Sequence, residues 1–196
     1  MINIFTPVFE PHYFDVKRYS WLIEYPKEEY DLVELTENIS EGKIGLLIGT
    51  LLEFNNSELD DNFLSALTQK DEISLCGGLR ISKSGKFINP SCCSDFQDWR
   101  EWELFLNGDI NGVWLGHDPE PWVEMDNNEI NIWSDLDKNP SKFKISSTIS
   151  EIEFSLKKVE IELLSVSKII DDWAKKNLNT EYAKFKDSIE KYLMVR

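Results

Sequence analysis

The spacing of hydrophobic positions changes several times along this chain, and each change predicts an element. Up to Pro26, the apolar residues Ile2, Ile4, Val8, Phe14, Val16, Trp21 and Ile23 are interrupted by Pro7 and Pro11. Short strands fit such a pattern, because proline removes a ladder donor. Residues 44–54 form an apolar run with one polar break at Thr50 and one charge at Glu53, which reads as a buried strand. The run is well short of the ~20 residues of a membrane span. From Ser57, the spacing of Leu59, Phe63, Leu64 and Leu67 predicts an amphipathic helix. A hairpin is expected over 77–88 with its turn at Lys83-Ser84-Gly85.

Between Pro90 and Gly108, Phe96, Trp99, Trp102, Phe105 and Leu106 make an apolar stripe at helical spacing, with Ser94 or Asp95 as N-cap and Asp95 and Asp98 in the first turn. A turn-rich loop over 111–121 follows. Trp122-Val-Glu-Met and Glu129-Ile-Asn-Ile-Trp then predict a second hairpin around Asp126-Asn127-Asn128. Thr148-Ile-Ser-Glu151 has the spacing of a capping box. Beyond it, Ile149, Ile152, Leu156, Val159, Leu163, Val166, Ile170 and Trp173 follow alternating steps of three and four, a heptad-like seam that Phe154, Ile161, Leu164 and Ile169 widen. A short helix from Glu181 to Leu193 ends the pattern. The fold class expected is α+β: an antiparallel sheet of short hairpins packed against helices, with a long C-terminal helix. One domain is expected overall, an acidic body over 1–147 with the C-terminal helices of 148–196 packed on it.

Charge narrows the function classes. The 196 residues carry a formal charge of −15, which argues against nucleic acid or an anionic membrane as partner, since phosphate binding needs clustered Lys and Arg. Residues 1–137 hold 9 Lys and Arg against 27 Asp and Glu, whereas 138–196 hold 12 against 9. The opening Met1–Phe9 has no basic stretch and no export signal is expected from it. Cys76, Cys92 and Cys93 are an odd set with two adjacent, a poor basis for a disulfide framework, and reduced thiols in a cytoplasm are the simpler reading. A soluble cytoplasmic protein is the expectation.

Residues 95–137 stand out. They hold twelve acids, Arg100 as the one base, and five of the seven tryptophans: Trp99, Trp102, Trp114, Trp122 and Trp133. Aromatic anchors amid carboxylates suit a surface that engages Lys and Arg of a basic partner. The expected binding residues are Trp99, Trp102, Glu101, Trp114, His117, Asp118, Glu120, Trp122 and Glu124. Against this stands the reading that each Trp is core and the acids merely solvate it.

The run Ile88-Asn-Pro-Ser-Cys-Cys-Ser-Asp-Phe-Gln-Asp-Trp-Arg-Glu-Trp102, followed by Trp114-Leu-Gly-His-Asp-Pro-Glu-Pro-Trp122, resembles a widespread set of uncharacterised bacterial proteins. These pair a Cys-rich stretch and a Trp-x-x-Trp helix with a Trp-Leu-Gly-His-Asp-Pro loop, over roughly the span 78–134 here. Ser91 and Ser94 depart from the pattern, where those proteins often carry Gly and a third Cys. The resemblance implies a bacterial cytoplasmic protein and supplies no established activity.

The same residues include candidates for catalysis. Cys92 or Cys93 with His117 and Asp118 supplies the types needed for a thiolate nucleophile, a base and an orienting carboxylate, and Cys93 precedes a predicted helix N-terminus, which favours a thiolate. The bland reading of His117-Asp118-Pro119 is a tight turn capped by the Asp side chain. A metal site from Cys76, Cys92, Cys93 and His117 is not expected, because adjacent cysteines depart from the C-x₂₋₄-C spacing that lets two thiolates face one zinc ion. No cofactor is expected. The leading reading is therefore a non-enzymatic, immunity-like module for a basic partner such as a toxin nuclease. A small Cys/His/Asp enzyme, and a self-associating protein that dimerises through the heptad-like seam, are the two alternatives.

Overall fold

The computed structural model of the chain describes residues 2–12, 32–55, 73–136, 142–177 and 182–193, with the side chains of 182–185 left aside. The strands expected between Phe14 and Ile23, the helix expected from Ser57, and Asp137 lie outside the described residues. The chain groups into two compact units: residues 1–8 with 76–161, and residues 9–75 with 162–196.

The first unit is built on hairpins. Strands β3 (Gly77–Lys83) and β4 (Lys86–Ile88) pair antiparallel with Ile81 opposite Ile88 and Lys83 opposite Lys86. Ser84 and Gly85, at φ 53° and 77°, make the two-residue turn. Positive φ at both positions matches the right-handed twist of the flanking strands. Strand β1 (Phe5–Phe9), all but its last residue in this unit, stands next to β3 in the sheet. A second sheet has the order β5-β6-β7, with β5 (Trp122–Asp126) and β6 (Glu129–Trp133) joined by the expected hairpin. Strand β7 (Lys144–Thr148) pairs antiparallel with β6 and is an addition to the sequence expectation. Its five residues hold only one large apolar side chain, Ile145, so alternation is faint there.

The stripe over 96–106 forms as expected, but its first turn, Phe96–Arg100, is a 3₁₀ helix that runs into α2 (Glu101–Asn107). Asp95 caps it, accepting from Gln97 N, while the Asp98 side chain accepts from Asp95 N. Gly108, at φ 78°, closes the helix in the left-handed conformation. Trp102 packs against Phe5, ring centroids 4.7 Å apart.

In the second unit, β2 (Val33–Glu34) precedes α1 (Glu41–Phe54). This helix corrects the expected strand over 44–54. An apolar run of eleven exceeds the ~4–8 residues of a typical strand, Ser40 supplies an N-cap that accepts from Lys43 N, and a helix satisfies its own backbone N–H groups without ladder partners. Residues 44–52 are all buried, as befits a helix that is apolar on every side. At its end, Asn55 donates to Leu51 O and Ser74 O and accepts from Ser74 N.

Helix α3 (Ile149–Asn177) starts in the first unit and continues in the second from Glu162. Its capping box is present: Thr148 N donates to Glu151 Oε2 at 3.1 Å and Glu151 N to Thr148 Oγ1 at 3.3 Å. Seam residues Ile152, Leu156, Val159, Leu163, Val166, Ile170 and Trp173 are buried by the chain itself. The expected widening fails at Ile161 and Leu164, which are exposed. Helix α4 (Tyr182–Tyr192) contributes Ile189 and Tyr192 to the buried set, joined by Leu193 just beyond its end. The class is α+β, with antiparallel sheets of short strands and, among the described residues, four α-helices. No helix among the described residues is long and apolar enough to cross a membrane.

Candidate functional site

Two stretches of irregular chain in the first unit meet edge to edge. Ser91 N donates to Leu115 O and His117 N to Cys92 O, each at 2.9 Å, so that 91–92 and 115–117 pair in a short antiparallel bridge. Gly116 permits this approach. It sits at φ 90°, and a Cβ there would lie 2.5 Å from Ser91 O and 2.7 Å from Cys92 O. The Ser91 hydroxyl, 2.7 Å from Pro119 O, fastens the far end of the loop.

The chain then turns at 91–94, with Ser94 N donating to Ser91 O at 3.1 Å and Cys93 at φ 64°. A positive φ at the third position of a four-residue turn is normally filled by Gly or Asn. Here a cysteine fills it. Neighbouring side chains on an extended strand point to opposite faces, but this turn brings the two sulfurs to one side, Cys92 Sγ and Cys93 Sγ 3.5 Å apart. The indole N–H of Trp114 donates to Cys93 O at 3.1 Å and holds the turn from the facing loop. One ligating atom each from Cys92, Cys93 and His117 falls within 4.8 Å of the others. None of the three cysteines is in a disulfide, and Cys76, whose backbone pairs with Asp95, is outside this cluster.

His117 Nδ1 lies 3.2 Å from Asp118 Oδ2, and the His117 ring meets Trp114 edge-on at 6.4 Å. Cys92, Cys93, His117 and Asp118 are therefore brought together by the fold. The Asp95 side chain accepts from Gln97 N in the first turn of the helix that follows Cys93.

Beyond Asp118 the same loop borders an open concavity of about 650 Å³ lined by Asp118, Pro119, Glu120, Asp135 and Leu136. Asp135 accepts from Glu120 N at 3.2 Å, and Leu136 N donates to Glu120 O at 2.7 Å. On the other flank, Glu101 Oε2 accepts from Trp114 N at 2.6 Å. Contacts thus link Glu101, Trp114, His117, Asp118, Glu120, Asp135 and Leu136 into one patch, in which Trp114 is 41% and Leu136 47% exposed. Asp135 is paired with Lys142.

Of the expected binding residues, Glu101, Trp114, His117, Asp118 and Glu120 lie in this patch. Trp99 and Trp102 do not: at 2% and 0% exposure they are core, because the stripe that suggested anchors is the face the helix buries. Trp122 and Trp133, half-buried, stack across β5 and β6 at 5.7 Å, with Glu124 accepting the Trp133 indole N–H. Asp135 and Leu136 were missed; they follow a strand with no motif of their own, and only the fold sets them beside Glu120.

Asp98, in the 3₁₀ turn, is pushed up to about 6, chiefly by burial. The hydrogen bond from Asp95 N opposes that rise, and the charges of Glu101 and Asp95 add to it. Compared with known proteins, the chain matches no family model, no curated protein and no solved structure.

Proposed function

We propose that this chain is a non-enzymatic protein-binding module of a bacterial cytoplasm, an immunity-like protein whose acidic patch receives basic side chains of a partner such as a toxin nuclease. The observation that carries the reading is the continuity of the patch from Glu101 through Trp114 and Asp118 to the concavity between Glu120 and Asp135. Carboxylates around a concave opening suit an Arg or Lys head, and Pro119 and Leu136 suit its aliphatic stem. Trp114 offers the aromatic anchor that binding hot spots favour.

The test is capture of partners from the host cell on the immobilised chain. Retention of a basic protein that weakens with salt and is lost in Asp118→Asn/Glu120→Gln supports the reading, provided that Asp126→Asn/Glu129→Gln, which removes the same charge at the β5–β6 turn, retains it. Equal loss in both variants, or binding indifferent to salt, overturns it. A small thiol enzyme is the second reading, favoured by the convergence of Cys92, Cys93, His117 and Asp118. Replacing both cysteines by Ser separates the two. It leaves salt-sensitive capture within about twofold on the first reading and abolishes biological activity on the second.

A further inference from the structure

We infer that Cys92, Cys93 and His117 form a binding site for a borderline-soft transition metal ion, Zn²⁺ in class, with two thiolates and one imidazole as protein ligands and a fourth position open. Their ligating atoms already lie within 4.8 Å of one another. The sulfurs are 3.5 Å apart, close to the separation of about 3.8 Å that two thiolates 2.3 Å from a tetrahedral zinc ion require. Thiolate and imidazole together select Zn²⁺ or Cu⁺ over hard cations such as Mg²⁺ and Ca²⁺, which take oxygen ligands.

Three features favour a metal over two incidental thiols. Adjacent cysteines ordinarily diverge; here the left-handed Cys93 rotates both sulfurs to one side, in a turn position that Gly would fill with less strain. Gly116 draws the histidine loop against the cysteine turn, at a distance no side chain on that residue would allow. Asp118 meets His117 Nδ1 at 3.2 Å, the carboxylate–imidazole pairing that fixes tautomer and ring orientation in metal-ligating histidines. With the proton on Nδ1, the ring's free lone pair is on Nε2. Binding deprotonates each thiol, and its proton leaves to solvent, so affinity rises with pH.

The inference does not rest on the partner reading, although His117 and Asp118 belong to both sites, since metal is bound by the isolated protein and needs no partner. The experiment is titration of the reduced, metal-free full-length chain with Co²⁺ and then Zn²⁺ under anaerobic conditions. A stoichiometry of one per chain, with a thiolate-to-cobalt charge-transfer band and the intense visible bands of tetrahedral Co²⁺, both bleached by Zn²⁺, is the expected result. Cys92→Ser, Cys93→Ser and His117→Gln each weaken Zn²⁺ binding tenfold or more against a chromophoric chelator, while Cys76→Ser leaves it within twofold. Bound Zn²⁺ also protects two thiols per chain from a thiol reagent. Lack of the charge-transfer band, or affinity unchanged in His117→Gln, overturns the inference. Far-UV circular dichroism of each variant shows that lost binding is not lost folding.

Discussion

Gly116 joins the two halves of the site through the absence of one atom. A Cβ there would meet the Ser91 and Cys92 carbonyl oxygens at 2.5 and 2.7 Å, and its φ of 90° is unfavourable for any other residue. Gly116→Ala is therefore expected to lower stability by about 2–3 kcal/mol, the scale of a forced backbone outlier, and to weaken Zn²⁺ binding; denaturant unfolding and chelator competition measure the two. Asp98 offers the opposite outcome. Its carboxyl is raised to about 6 from 3.8, so the folded state holds the proton more tightly and stability declines as pH rises across that window. Asp98→Asn keeps an acceptor for Asp95 N and removes the charge, so its melting temperature should exceed the parent's at pH 7.5 and match it at pH 3. At this scale the sequence was partly legible. Cys92, Cys93, His117 and Asp118 announce themselves by type, but their meeting depends on a cysteine in a glycine's conformation, which no propensity indicates. The 3₁₀ turn buries Trp99 and helix α2 buries Trp102, which composition alone could not separate from the exposed Trp114.

Elements with local signals were legible and those without were not. The capping box at Thr148–Glu151, the Ser84-Gly85 turn and the heptad-like seam each depend on residues within a few positions of one another, so spacing predicts them. Helix α1 was misread because an apolar run has no periodicity to distinguish a buried helix from a buried strand, and β7 because it has little hydrophobic alternation. Glu151 adds a tertiary function to its local one. Lys83 Nζ reaches its carboxylate at 2.8 Å, and with Ser147 and the Thr148 N–H it holds the group down at about 2 against an ordinary 4.5. The unfolded chain then binds the proton more readily, so this stabilisation is full above about pH 4.5 and is lost as pH falls toward 2. Glu151→Gln should lower the melting temperature at pH 7 and flatten its dependence on pH over that window; thermal scans from pH 2 to 7 check both. Ser155 stitches the same region. Its hydroxyl accepts from Ile4 N and donates to Glu151 O in a fully buried position, so Ser155→Ala leaves a buried N–H unmatched and should cost about 1–3 kcal/mol.

For the whole molecule, the decisive quantity is charge. The division by sequence, acidic to residue 137 and slightly basic after it, is redistributed on folding. The first unit contains 9 Lys and Arg against 15 Asp and Glu, the second 12 against 21. Both units are acidic, and C-terminal lysines lie against carboxylates of distant sequence, as Lys176 does with Glu41 at 2.6 Å. Exposed ion pairs of that kind contribute little, whereas an excess of fifteen negative charges disfavours the compact state through self-repulsion. Salt should therefore act in opposite directions on the two properties that depend on this charge. Between about 0.01 and 0.15 M ionic strength the Debye length contracts from roughly 30 to 8 Å, which screens repulsion within the chain and attraction toward a basic partner alike. The melting temperature of the isolated protein is expected to rise across that range while affinity for the captured partner falls. A melting temperature that instead declines with salt means that local pairs such as Lys83–Glu151 outweigh the long-range repulsion. A partner affinity that holds constant means that the patch around Trp114 and Asp118 binds by apolar contact, and the acidity serves some purpose other than recognition.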